Sequence, residues 1–248
     1  MASSNQRNDP TKVQIIVALI SAAAVIVAAL ITTRPNNTGS KQQTYPLTDD
    51  VNSSAPPTTA PILSLTTAPP KPLMLDNFND DDAQRWTVME QGSAKIFDGK
   101  YIVIGEPVVM TLTGSETWQN YSFRIKAKVV SGTDGFGVLV RANEKLCNLY
   151  MLQFIDNVVR LVRYDGGNCT NHESISYMIL ESSSYKIERD TWYHIRVDVQ
   201  GTTITGYVNE VQVISVDDAL YLQGKIGLRA AETQIFFDDL EVVPLSNP

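Results

Sequence analysis

The clearest pattern in this chain lies between Thr191 and Leu240, in TWYHIRVDVQGTTITGYVNEVQVISVDDALYLQGKIGLRAAETQIFFDDL. In its first run Tyr193, Ile195, Val197 and Val199 fall on one face, and His194, Arg196 and Asp198 on the other. A period of two marks a strand with one buried side. Turn signals at Gln200-Gly201, Asn209-Glu210 and Gly224 separate this run from the next ones. The same reading predicts strands near 94–98, 101–104, 107–113, 119–130, 135–142, 147–155, 158–164, 173–181, 192–200, 202–208, 211–216, 224–230 and 233–244. No helical period of useful length follows Pro72. Short strands at this density predict an all-β fold, a sandwich of antiparallel sheets.

The middle of the chain gives a register. Asp156-Asn157 is a two-residue hairpin turn, which pairs Ile155 with Val158, Phe154 with Val159 and Tyr150 with Arg163. A loop over Asn143 to Leu146 would pair Arg141 with Asn148. Side chains alternate, so Arg141, Asn148, Tyr150 and Arg163 then share one face. A phenol ring and two guanidinium forks suit a sugar or a carboxylate, which makes Arg141, Tyr150 and Arg163 the candidate ligand-binding residues. The same pattern also fits Tyr150 packed in the core with the arginines at its rim. Cys147 falls opposite Gly166, so Cys169 can reach it, and a Cys147–Cys169 disulfide is expected in an oxidising compartment. Tyr121, Phe123, Ile125, Ala127 and Val129 form another core face, and Arg124, Lys126 and Lys128 opposite them read as an ordinary solvated row.

Upstream the pattern changes. Residues 1–12 are short and polar. Val13 to Thr33 then runs VQIIVALISAAAVIVAALITT without a charge. About 20 apolar residues cross a bilayer core, whereas a cleaved signal needs an apolar run of only about 7–15. The segment reads as an uncleaved signal anchor, with the short N-terminus in the cytoplasm and the rest outside; a cleaved signal is the alternative. Arg34 to Pro72 is rich in Pro, Thr and Ser, too poor in apolar residues to fold, and reads as a disordered linker or stalk. The expected organisation is therefore 1–12 tail, 13–33 transmembrane helix, 34–72 linker and 73–248 sandwich. Triplets at Asn36, Asn52, Asn120 and Asn168 match the N-glycosylation pattern.

Residues 73 to 245 resemble a known superfamily. A Trp opening a strand, a hairpin Gly, then GKIGL and FFDDLEV look like the tail of a concanavalin A-like, laminin G-like jelly roll. LDNFNDDDAQRW, FDGKYIVI, WQNYSFRIKAKVV and GFGVLVRANEKLCNLYMLQF resemble its earlier strands. The superfamily includes lectins, carbohydrate-binding modules, laminin G modules and the 3-keto-disaccharide hydrolase-like domain. The resemblance implies a jelly-roll β-sandwich whose two ends lie side by side. Related modules hold a calcium ion near such ends, which makes Asp76 and Asp238 the metal candidates; a solvated turn and a strand end are the alternative. Arg141 and Tyr150 also match the family's Arg-then-Tyr pattern.

Composition narrows the chemistry. A net charge of −7 and no basic run argue against nucleic acid as a partner. Two cysteines and two histidines leave little for a zinc site. Sandwich glycosidases of this class use a strand motif of the type E-x-D-x-E, which is absent; Glu188-Arg189-Asp190 comes nearest and lacks the third acid. His194 on a polar strand face and His172 in a loop suggest no Ser-His-Asp arrangement, and no catalytic residue is assigned. The expected function is a membrane-anchored, extracytoplasmic carbohydrate-binding module. The alternatives are a sugar hydrolase of the 3-keto-disaccharide hydrolase-like type and a laminin G-like protein-adhesion module.

Overall fold

The computed structural model describes residues 70–89, 92–132, 135–167 and 176–247. The expected transmembrane segment, most of the linker, Cys169 and His172 lie outside the described residues. Within them, no helix is long and apolar enough to cross a membrane.

The described chain forms fifteen strands: β1 (Met74–Asp76), β2 (Thr87–Met89), β3 (Ser93–Phe97), β4 (Lys100–Ile104), β5 (Val108–Thr113), β6 (Tyr121–Gly132), β7 (Phe136–Ala142), β8 (Asn148–Ile155), β9 (Val158–Asp165), β10 (Ser176–Ser184), β11 (Tyr193–Gln200), β12 (Thr203–Val208), β13 (Val211–Asp217), β14 (Lys225–Ala231) and β15 (Thr233–Pro244). Sheet A has the order β13-β12-β11-β6-β15-β4-β3, with β1 also paired to β15. Sheet B has the order β10-β9-β8-β7-β14-β5-β2. Every pairing is antiparallel. Each predicted strand is present within a few residues. The two short strands β1 and β2 carry too few residues to show a period.

The two sheets face each other across a core that takes alternate residues from both. Phe123, Ile125 and Ala127 of β6 meet Val138, Leu152 and Leu161 of sheet B in one buried cluster. Near the chain entry Tyr101 stacks on Phe78 at 5.4 Å and on Trp86 at 4.8 Å. β1 pairs with β15 through Asp76 and Leu240, so the two ends of the domain do lie side by side. On the outer face of sheet A the basic row is ion-paired rather than only solvated. Arg124 reaches Glu241 at 2.9 Å and Lys126 reaches Asp239 at 2.6 Å.

Two bulges change which way side chains point. In β15 the register shifts between Asp238 and Glu241, and Asp239 takes φ 47°. An extra residue there lets Phe237 and Leu240 both face the core while Asp238 and Asp239 face outward. In β7 the pairing to β14 shifts after Leu139, and Arg141 takes φ 50°. That second bulge governs the first candidate site.

Candidate functional site

The hairpin register comes out as read from the turn: Tyr150 pairs with Arg163, Phe154 with Val159 and Ile155 with Val158. The other half needs correction. Val140, not Arg141, is registered with the strand bearing Tyr150, and Arg141 is not paired with Asn148. The loop closes instead through the Asn143 N–H, which donates to the Asn148 carbonyl at 3.0 Å. The bulge adds a residue that turn counting could not see, and it re-aims Arg141 into the sandwich.

The three candidate ligand residues do converge, but not on an open surface. Arg141 and Tyr150 are both fully buried. Arg141 donates to the carbonyls of Gly201 at 2.7 Å, Tyr221 at 3.2 Å and Gln119 at 3.4 Å, and its N–H donates to the Tyr121 hydroxyl at 3.1 Å. Burial pushes its guanidinium below the ordinary arginine range. The Tyr150 hydroxyl donates to Asp218 Oδ1 at 2.6 Å and accepts the Tyr221 N–H at 3.2 Å. Arg163 forms an ion pair with the other oxygen of Asp218. Burial, seconded by the Asp218 carboxylate, raises the Tyr150 phenol well above the ordinary tyrosine range. Burial alone would raise Asp218, but the Tyr150 hydroxyl, the Leu220 N–H and Arg163 together hold it below the usual carboxylate range. The platform reading is therefore overturned for Arg141, Tyr150 and Arg163. They grip the β13–β14 loop and plug that end of the sandwich, and a ring buried like Tyr150 cannot stack on a ligand. Asp218 and Tyr221, which complete this cluster, were missed; the doubled acid in SVDDALY was the available signal.

Asp76 and Asp238 are not brought together. Asp76 faces the core, where its oxygens accept the Phe78 N–H at 3.0 Å and the Trp86 indole N–H at 3.3 Å. Asp238 lies on the outer face, opposite Lys126, as alternation from the core-facing Phe237 requires, and the β15 bulge that follows keeps Asp239 outward as well. Among the described residues no group of three or more His, Cys, Asp or Glu side chains could hold a metal ion. Cys147 is fully buried where β8 begins, and the Gly166 N–H donates to its carbonyl at 2.9 Å, as the register requires. Asn120 is committed at both ends of its amide, to the Gly201 N–H and to Asn247.

The opposite end of the sandwich is open. A cavity of about 320 Å³ lies there between the β8–β9 turn, the segment after β10 and the start of β15. Its floor holds Phe136 and Phe154, stacked at 4.7 Å. Its rim brings together Asp156, Asn157, Tyr185 and Arg189. The rim is held from several sides. The Asn157 carbonyl accepts the Tyr185 N–H at 2.9 Å, Arg189 donates to the Gly132 carbonyl at 2.5 Å, and the Gly135 N–H donates to Thr233 at 2.9 Å. Asp156 and Asn157 take φ 49° and 63°, the left-handed pair that a tight two-residue hairpin demands. An apolar aromatic floor with a few convergent polar groups is the usual make-up of a small-molecule site. The turn is legible in the sequence but the cavity is not, since its walls come from four separate stretches. Two wider hollows, of about 490 and 460 Å³, flank β1; they are walled by the entering chain at Lys71–Leu75 and by Asp76, Asp80, Asp239 and Glu241.

Two facing antiparallel sheets, with the chain ends paired and a cavity at one end, define a concanavalin A-like sandwich module. The chain belongs to the family described as the 3-keto-alpha-glucoside-1,2-lyase-like domain, which matches residues 75–243. A curated relative, the extracellular exo-alpha-L-arabinofuranosidase of Streptomyces chartreusis, is 29% identical over 153 residues, 59% of this chain and 17% of that protein. The chain thus spans a small part of that enzyme's length. Among solved structures, the carbohydrate binding module CBM66 from Bacillus subtilis superposes with a TM-score of 0.55 at 14% identity, covering 64% of this chain and 95% of that one. Domain 4 of the GH43 extracellular arabinanase AbnA from Geobacillus stearothermophilus, in complex with arabinotriose, superposes with a TM-score of 0.52 at 14% identity, covering 73% and 96%. These likenesses establish the fold.

Proposed function

We propose that this chain is a glycan-binding module held at a membrane by its N-terminal segment, with the sandwich on the extracytoplasmic side. The observation that carries the binding reading is the end cavity. Tyr185 and Ile187, partly exposed above the buried Phe136–Phe154 floor, offer apolar surface to the C–H faces of a sugar, while Asp156, Asn157 and Arg189 offer both donors and acceptors to its hydroxyls. A volume of about 320 Å³ suits the end of a glycan rather than a long stretch of one. Family membership and the sugar-directed names of its relatives support the ligand class. Family membership also favours a second reading, an enzyme acting on sugars. Binding is preferred because Asp156 is the one carboxylate lining the cavity among the described residues, where glycoside hydrolysis ordinarily uses two.

The test is calorimetry with arabinotriose and a panel of neutral oligosaccharides against the full chain in detergent. Tyr185→Ala should weaken the best binder by about tenfold or more, the scale of losing one ring stacked on a ring ligand, and Arg124→Ala should change nothing. Equal affinity in a folded Tyr185→Ala protein would rule the cavity out. Product formation seen by mass spectrometry would favour the enzyme. The membrane reading rests on the uncharged run Val13 to Thr33. It predicts that the protein stays in the membrane pellet after a carbonate wash; a soluble form beginning near Arg34 would show a cleaved signal instead.

A further inference from the structure

Of the two hollows beside β1, the larger, of about 490 Å³, brings together Leu73, Leu75, Trp118, Lys71 and Arg85. β1 alternates: Met74 and Asp76 are buried, so Leu73 and Leu75 point outward, where they are 42% and 58% exposed. Trp118 is partly exposed and lies against Gly114, where a Cβ would stand 2.4 Å from the indole ring. Gly114 takes φ 86°, and the missing Cβ lets the ring settle on the backbone. Single exposed leucines are ordinary on a protein surface, but these two share one hollow with an indole.

Lys71 and Arg85 are both exposed, and neither forms an ion pair among the described residues. The second hollow shares Leu75 and Arg85 with the first and carries the acids of this region, Asp76, Asp80, Asp239 and Glu241. Asp239 and Glu241 are held by Lys126 and Arg124, and Asp76 is turned into the core, which leaves Asp80 against Lys71 and Arg85. In a chain of net charge −7 this is a local excess of free positive charge beside exposed apolar surface. The patch also has a fixed place along the chain. It lies where β1 begins, at the end of the 34–72 linker expected from the sequence.

We propose that this patch rests on an anionic bilayer surface, with Leu73, Leu75 and Trp118 entering the headgroup layer and Lys71 and Arg85 meeting lipid phosphates. The proposal rests on the membrane-anchored reading above. Leucine and tryptophan suit the boundary between water and acyl chains, and each basic residue near an anionic surface adds about fivefold to the attraction. A bilayer fits better than a sugar, because two aliphatic side chains give a sugar's hydroxyls no directional partner. The contact can be weak and still be populated, since a flexible linker holds a tethered domain at an effective concentration on the order of millimolar.

The experiment places the full chain in vesicles whose acyl chains are brominated and therefore quench nearby tryptophan. One set is phosphatidylcholine alone, the other phosphatidylcholine mixed with phosphatidylglycerol. The ratio of docked to undocked domain should be about tenfold higher or more in the anionic mixture. Trp118→Phe should remove most of the quenching, because Trp86 is buried. Arg85→Gln and Leu75→Asp should each lower it at unchanged melting temperature, since both side chains are exposed. Equal quenching in the two lipids overturns the phosphate contacts, and quenching that persists in Trp118→Phe overturns the patch in favour of another face. No quenching in a chain that carbonate leaves in the pellet removes the patch and keeps the anchor. If carbonate releases the chain, the anchored reading fails, and flotation of the released chain with the same vesicles decides the patch: flotation that needs phosphatidylglycerol supports it, and none removes it. A dimer that Leu75→Asp abolishes, seen without quenching, would assign the patch to a second copy and overturn the lipid.

Discussion

Replacing Arg141 with Met keeps most of the buried volume and removes the charge and every side-chain donor. Three carbonyls then lose a partner: Gly201 between β11 and β12, Tyr221 in the β13–β14 loop and Gln119 just before β6. The contact to Gly201, at 2.7 Å, is strong, that to Tyr221, at 3.2 Å, is ordinary, and that to Gln119, at 3.4 Å, is weak. Two effective bonds from a charged donor are worth roughly 1.5–3 kcal/mol each. Gln119 is exposed and Gly201 half-buried, so water will recover part of that loss. Removing a buried guanidinium also relieves its desolvation, and for some buried ion networks that relief wins. Here the loss wins, because the carbonyls stay behind and Met cannot reach them. The expected destabilisation is about 2–3 kcal/mol. Urea unfolding followed by tryptophan fluorescence can read it, since Trp86, Trp118 and Trp192 all lie in the described domain. With a slope of about 2 kcal/mol per molar urea, the midpoint should fall by roughly 1–1.5 M. Affinity for sugar at the opposite end should be unchanged in the folded protein. A fall of less than about 0.5 kcal/mol, the size of an ordinary surface change, would refute the clamp. Lost sugar affinity at unchanged stability would restore Arg141 as a ligand residue.

The remaining expectations concern the same plugged end of the sandwich. Asp218 has a folded-state pKa below its ordinary value, so its contribution is present above the unfolded carboxylate range and is lost as pH falls through the depressed folded value. The melting-temperature gap between the native protein and Asp218→Asn should therefore be full above about pH 5 and close below the ordinary carboxylate pKa of about 3.9; a gap that widens in acid would show the sign to be wrong. Mass spectrometry of a non-reduced digest should show Cys147 linked to Cys169, and reduction should cost about 2–4 kcal/mol of stability. Two alkylatable thiols in the folded, secreted domain would overturn the pairing.

What the sequence revealed and what it hid both follow from locality. A period of two is a local property, and it located the β6 and β11 faces and all the longer strands. The Asp156-Asn157 turn is also local, and it fixed the β8–β9 register to the residue. Arg141 was misplaced because a bulge is decided by both neighbouring strands: β14 slips against β7 between Lys225 and Gly227, and no motif in β7 announces it. The β15 bulge is hidden in the same way: its slip against β6 leaves Asp239 outward beside Asp238, and no motif in β15 announces it. Tyr150 was an ambiguous residue, since a phenol serves a core or a ligand equally well. Its fate was set by Asp218, 68 positions away in the chain.

The two ends of the sandwich differ for a reason that connects these cases. At the end nearest Asn148 and Asp165, the chain supplies an acid and a tyrosine from the β13–β14 loop, and the arginine and phenol of sheet B close on them. Arg141, Arg163 and Asp218 each have internal partners there, and the phenol and guanidinium that could have met a ligand are buried. At the β8–β9 turn, Asp156 and Asn157 have left-handed backbones and exposed side chains, and they take part in no comparable cluster among the described residues. Polar groups satisfied inside the fold are structure, and those left unsatisfied beside apolar surface are where binding free energy is available. That distinction moves the candidate site from Arg141 and Tyr150 to the end cavity.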